Sequence, residues 1–133
     1  MADPVSNRNA TLTAALHPEA ELVTFGSPRV GNRAFVASLS GRSLRRYVDC
    51  VDGVPGLPPA IGYAHAGEMI YIDRLGQLHS PPPDKAAMRA DGREARRRYR
   101  REHAWRWGNV PLRSGADHAP VNYLSALLGR RHP

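Results

Sequence analysis

The stretch Leu22-Val23-Thr24-Phe25-Gly26-Ser27-Pro28-Arg29-Val30-Gly31-Asn32 decides how this chain is read, together with Arg46-Tyr47-Val48-Asp49-Cys50-Val51-Asp52-Gly53-Val54-Pro55-Gly56-Leu57-Pro58-Pro59. Glu21 to Phe25 predicts a strand stopped by Gly26 and Pro28, and Leu44 to Val51 predicts the next one. Between them, Asn32 is placed to cap a helix from Arg33 to Leu39. Phe35, Val36 and Leu39 stand at helical spacing, and Ser40-Gly41 ends the run. The second strand runs into a proline- and glycine-rich loop, Gly53 to Gly62. Alternating strands and helices make an α/β domain, and loops at strand ends are where such domains keep their chemistry.

Working outward, Ala10 to Leu16 is a helix-forming run that ends at His17-Pro18, because proline disfavours helical geometry in the residue before it. Glu68 to Asp73 predicts a third strand, with Leu75 to His79 pairing back on it across Arg74. Pro81-Pro82-Pro83 is a rigid break. Asp84 then caps a polar helix from Lys85 to about His103, which Gly92 could interrupt. Pro120 opens a last helix with Val121, Leu124, Leu127 and Leu128 on one face and Gly129 as its stop. No internal repeat is present.

A chain of 133 residues suits one domain with a modest core, and 12 prolines with 12 glycines imply many loops. The single cysteine, Cys50, excludes an intramolecular disulfide. No apolar run is long enough to span a bilayer, and the polar start Met1 to Asn7 does not read as a signal peptide. As written, the chain is expected to be soluble and cytoplasmic. The formal charge is +7, much of it from Arg93 to Arg106.

Two residues stand where acyl-transfer chemistry could sit. Asp52 lies where a strand runs into a loop, so its carboxylate can be held at a sheet edge to orient an imidazole. Read alone, it is as well a turn former. His118 follows Asp117 and precedes the helix at Pro120. There it could serve as a general base, or simply as a surface or helix-capping residue. Their order, Asp then His, is that of the triad Ser…Asp/Glu…His.

Four motifs carry a family resemblance. They are Phe25 to Asn32, Asp52 to Pro59, Gly62-Tyr63-Ala64-His65-Ala66-Gly67-Glu68, and Asp117-His118 with Tyr123. In this order they resemble the second half of a class 3 (fungal-type) lipase domain, over roughly Ala10 to Leu128. The resemblance implies the C-terminal portion of an α/β-hydrolase fold, with a partial, mostly parallel sheet and flanking helices. The whole of residues 1–133 is then one partial domain, with a basic helical insertion at about 84–107. It further implies Asp52 as triad acid, His118 as general base, a lipid or other ester as substrate, and no cofactor or metal. His65 falls in a structural segment of the family. It is read as a packing or hydrogen-bonding residue, because no second ligand at a recognisable spacing supports metal binding.

The family's serine sits in a Gly-x-Ser-x-Gly turn between a strand and a helix. Ala10 to Leu16 resembles the helix after that turn. This places the serine near Pro4, and Met1 to Asn9 does not carry the motif. Gly41-Arg42-Ser43-Leu44-Arg45 mimics it with arginine for the last glycine, in the wrong place. Ser27 and Ser6 lack the context. The oxyanion hole would lie upstream as well, so the chain alone is expected to hydrolyse little or nothing. A sheet without its upstream strands would expose an edge that invites pairing.

Arg93, Arg96, Arg97, Arg98, Arg100, Arg101 and Arg106 crowd one stretch, interleaved with Tyr99, Trp105 and Trp107. Pairs Glu94–Arg98 and Glu102–Arg106 at i,i+4 favour a solvated helix face. An anionic membrane surface held by Arg93, Arg96, Arg97, Arg100 and Arg101 comes second, and nucleic acid third. The rival to the hydrolase reading is a non-catalytic remnant or binding module that uses this stretch.

Overall fold

The computed structural model describes residues 4–102, 113 and 117–129, with side chains from Asn9 onward. Four strands form one sheet in the order β1-β2-β3-β4: β1 (Leu22–Phe25), β2 (Leu44–Asp49), β3 (Glu68–Ile72) and β4 (Leu78–His79). The first three are parallel and β4 turns back antiparallel. The helices are α1 (Pro4–Leu16), α2 (Arg33–Ser38), α3 (Lys85–Glu102) and α4 (Pro120–Leu127). Parallel neighbours need a crossover, and α2 supplies it between β1 and β2. Asn32 caps α2 by accepting the Phe35 N–H at 2.8 Å.

Side chains alternate across a strand, so register fixes the two faces of the sheet. Phe25 pairs with Tyr47, Tyr47 with Ile70 and Asp49 with Ile72, which puts these residues on one face. That face receives α4: Tyr123 and Ala126 pack with Ile72, and Tyr47 lies against them. Phe25 stacks on Tyr47 at 5.1 Å between ring centres and meets the edge of Tyr123 at 5.7 Å. On the opposite face, Arg46, Val48, Met69 and Tyr71 share a side. Helix α3 lies close to the chain there, with Gly92 and Ala95 buried. A Cβ on Gly92 would stand 3.4 Å from the Cys50 carbonyl oxygen. Asp91 fastens the helix by accepting the Tyr71 hydroxyl at 2.8 Å and the Arg74 guanidinium at 3.1 Å.

Several expectations shift. Helix α1 starts at Pro4 rather than Ala10, and Gly92 does not break α3. Asp84 does cap α3, accepting the Ala87 N–H at 2.7 Å. Glu94 reaches Arg97 and Arg101 instead of Arg98, which pairs with Glu102 at 3.0 Å. The expected Glu102–Arg106 pair falls outside the described residues, as do Trp105 and Trp107. The apolar stripe of α4 faces outward: Val121 is 63% and Leu124 55% exposed, whereas Tyr123 is 3% exposed. Tyr123 is held on the buried face by two hydrogen bonds on its hydroxyl, and β1 is the last described strand on that side of the sheet. Among the described residues no helix is long and apolar enough to cross a membrane.

Candidate active site

Three segments meet at the C-terminal ends of β1 and β2. The first is the loop after β1, held to the acid loop by Arg29. Its guanidinium donates to the carbonyls of Gly56 and Pro58 at 2.5 Å each, and its backbone N–H donates to Leu57 at 2.8 Å. The same loop exchanges backbone bonds with Ala64, through Val30 at 3.1 Å and Gly31 at 2.7 Å. Three of the sequence motifs are thus physically one scaffold.

The second segment carries Asp52, past the end of β2. Its N–H closes a turn on the Asp49 carbonyl at 3.1 Å, and its Oδ1 accepts the Val54 N–H at 2.9 Å. The Asp52 side chain is fully buried. The third segment is the start of α4, where His118 places Nδ1 at 3.1 and 3.0 Å from the two Asp52 oxygens. Tyr123 donates its hydroxyl to Asp52 Oδ2 at 2.6 Å. Burial, then the charge of Asp52, pushes the Tyr123 phenol well above its ordinary range, so it stays a donor.

Gly26 makes this convergence possible. It has φ +59°, and a Cβ there would stand 2.4 Å from Asp52 Oδ2 and 2.9 Å from His118 Nδ1. The histidine also lines a cavity of about 300 Å³, walled by Val23, Phe25, Pro120, Leu124 and Leu127. Its mouth is therefore apolar, with one imidazole set into it.

Asp52 and His118, the two site residues expected from the sequence, come together across 66 positions. The part of Tyr123 was not expected, because its hydroxyl meets Asp52 only once α4 has packed. The one signal was the place of Tyr123 in the last motif. The serines considered earlier lie elsewhere. Ser27 is buried and donates to the Pro28 carbonyl at 3.2 Å, and Ser43 donates to Glu21 at 3.4 Å. The side chain of Ser6 is outside the described residues.

His65 is half-buried and hydrogen-bonds to the backbone of Pro55, while its Nδ1 has no partner among the described residues. Burial first, then the nearby charges of Arg46 and Arg29, push its pKa down to about 4. Asp49, Cys50 and Asp117 bring possible ligand atoms within 4.8 Å of one another, but they are engaged internally. Arg113 donates to Asp117 at 2.9 Å, and the Cys50 N–H donates to Asp49 at 2.8 Å. Burial, then Asp117 and Asp49, push the Cys50 thiol up, which keeps it protonated and unreactive.

A buried carboxylate bonded to a loop histidine at the C-terminal edge of a mostly parallel sheet with flanking helices fits a partial α/β fold. Residues 3–62 match the family model of lipase (class 3), a segment that includes Asp52 and ends before His118. Among solved structures, the Rhizomucor miehei lipase propeptide complex is 45% identical over 39% of this chain and 18% of its own, with a TM-score of 0.37. A triacylglycerol lipase whose catalytic centre is a serine protease triad is 36% identical over 52% of this chain and 29% of its own, at 0.44. Lipase II from Rhizopus niveus is 30% identical over 49% and 28%, at 0.43. The chain spans less than a third of the length of each.

Proposed function

We propose that Asp52 and His118 are the acid and base of a Ser-Asp-His triad that hydrolyses carboxylic esters of lipids. The observation that carries this reading is the bond from His118 Nδ1 to the buried Asp52 carboxylate. It fixes the tautomer in which Nδ1 bears the proton and Nε2 is free to accept one. The class 3 match across Asp52 supports the choice of ester chemistry.

The nucleophile belongs, by the same resemblance, to a Gly-x-Ser-x-Gly turn ahead of α1. The sheet supports this placement. A strand laid parallel to β1 on its free side would lie about 4.8 Å away. Its C-terminal end would arrive beside Gly26, against which His118 sits. A serine there attacks the ester carbonyl as His118 Nε2 takes its proton. The tetrahedral intermediate collapses, His118 returns the proton to the departing alcohol, and water repeats the cycle on the acyl-serine. Asp52 stabilises the imidazolium formed in each half. The domain is then a partial one, with α3 part of an insertion at about 84–107 between acid and base. Without the serine, these residues hydrolyse little.

The test is hydrolysis of p-nitrophenyl butyrate and emulsified trioctanoin by the native protein isolated from its source cells, with its intact mass measured. Activity in a protein whose peptides include Gly-x-Ser-x-Gly, abolished by Asp52→Ala or His118→Ala, is expected. Activity indifferent to both substitutions would overturn the assignment.

A further inference from the structure

A second cavity, about 380 Å³, lies between α3 and the sheet face opposite α4. It shares no residue with the cavity beside His118. Val48, Met69, Tyr71 and Met88 give it apolar walls, and Lys85, Arg89, Arg93 and Arg96 line it from the helix. These four cations follow at helical steps of four, four and three, so they form one stripe.

Ion pairing divides the helix. Arg97 and Arg101 pair with Glu94, and Arg98 pairs with Glu102. Asp91, which lies between Arg89 and Arg93 in sequence, is taken by Tyr71 and Arg74. Asp84 is spent on the helix cap. Among the described residues, none of Lys85, Arg89, Arg93 and Arg96 has an ion-pair partner. Four like charges collected on an apolar trough repel one another unless an anion joins them.

We propose that this groove binds a single-chain anionic amphiphile, a long-chain carboxylate, with its tail over Val48, Met69 and Met88 and its head on Arg89 and Arg93. The charge and the apolar floor call for an anionic head and an alkyl tail in one molecule. A guanidinium fork matches a carboxylate with two parallel hydrogen bonds. The volume is at the small end of ligand pockets and suits one chain. The choice of carboxylate over phosphate rests on the ester-hydrolysis reading, whose acyl product it would be.

The experiment is calorimetric titration of the protein with laurate, kept below its critical micelle concentration. The paired controls are dodecyl glucoside, which has the same tail without charge, and dodecyl phosphate. Saturable laurate binding is expected, weakened at least about tenfold in the double variant Arg89→Gln/Arg93→Gln and unchanged in Arg97→Gln/Arg101→Gln. Equal binding of dodecyl glucoside overturns the proposal, and so does binding of dodecyl phosphate without laurate. Binding only to phosphatidylglycerol vesicles, lost alike in both double variants, also overturns it and makes α3 a membrane-facing surface. Esterase activity is read separately, so failure of the groove and failure of the triad are told apart.

Discussion

The hydroxyl of Tyr123 donates to Asp52 Oδ2 at 2.6 Å and accepts the backbone N–H of Asp49 at 3.2 Å. One phenol thus ties the start of the acid loop, the acid itself and helix α4 together. In Tyr123→Phe, two buried polar groups lose a partner. A loss of about 1–3 kcal/mol for each orphaned group is the expected scale. Urea unfolding of the variant against the parent protein measures it, and a midpoint unchanged by the substitution would contradict the role.

Gly26→Ala separates backbone strain from collision. The residue has φ +59°, and its Cβ would stand 2.4 Å from Asp52 Oδ2. Gly41 has φ +80° with nothing within 4 Å of its Cβ. Both alanine variants incur about 1–2 kcal/mol for the left-handed backbone. Only Gly26→Ala must also push Asp52 from His118. Its unfolding free energy is expected to fall well below that of Gly41→Ala, and equal losses would show that the contact is relieved cheaply.

In a form of the protein that carries the serine, Asp52→Asn keeps the side-chain shape but removes the charge that orients Nδ1–H. A fall in kcat of about 10⁴ is expected, with KM nearly unchanged, because the pair acts on the transition state. Steady-state kinetics on p-nitrophenyl butyrate reads both constants.

His65 gives a pH signature. Its folded pKa of about 4 lies below the ordinary value of 6.5, because burial and then Arg46 and Arg29 disfavour the charged ring. The unfolded chain therefore takes up the proton first as pH falls. This contribution to stability is complete above about pH 6.5 and is lost as pH drops toward and through 4. In His65→Asn the difference between pH 7 and pH 4.5 should shrink relative to the parent, as measured by chemical denaturation at each pH.

Asp91→Ala should loosen α3. It strips the partner from the Tyr71 hydroxyl and from Arg74, both part-buried. A loss of about 1–3 kcal/mol is expected, with faster amide exchange along α3 than along β2 or β3.

Local grammar made the strands and most helix limits legible. The cap at Asn32, the cap at Asp84 and the proline start at Pro120 are all signals within one turn of their element. The four motifs carried the α/β-hydrolase resemblance and pointed to Asp52 and His118, because the chemistry of an acid and an imidazole is written in the residue types themselves. What the sequence could not decide was distance and orientation. Apolar spacing in α4 marked Val121, Leu124, Leu127 and Leu128 as a face, but Tyr123 and Ala126 took the sheet. The hydroxyl of Tyr123 meets Asp52 and Asp49 on that buried face. In α3, helical spacing within the element sets which arginines pair with Glu94 and Glu102, while tertiary packing decided which cations line a groove. Residues far apart in sequence meet only when the sheet and helices pack, and that packing sets the partners of Asp52 and Asp91.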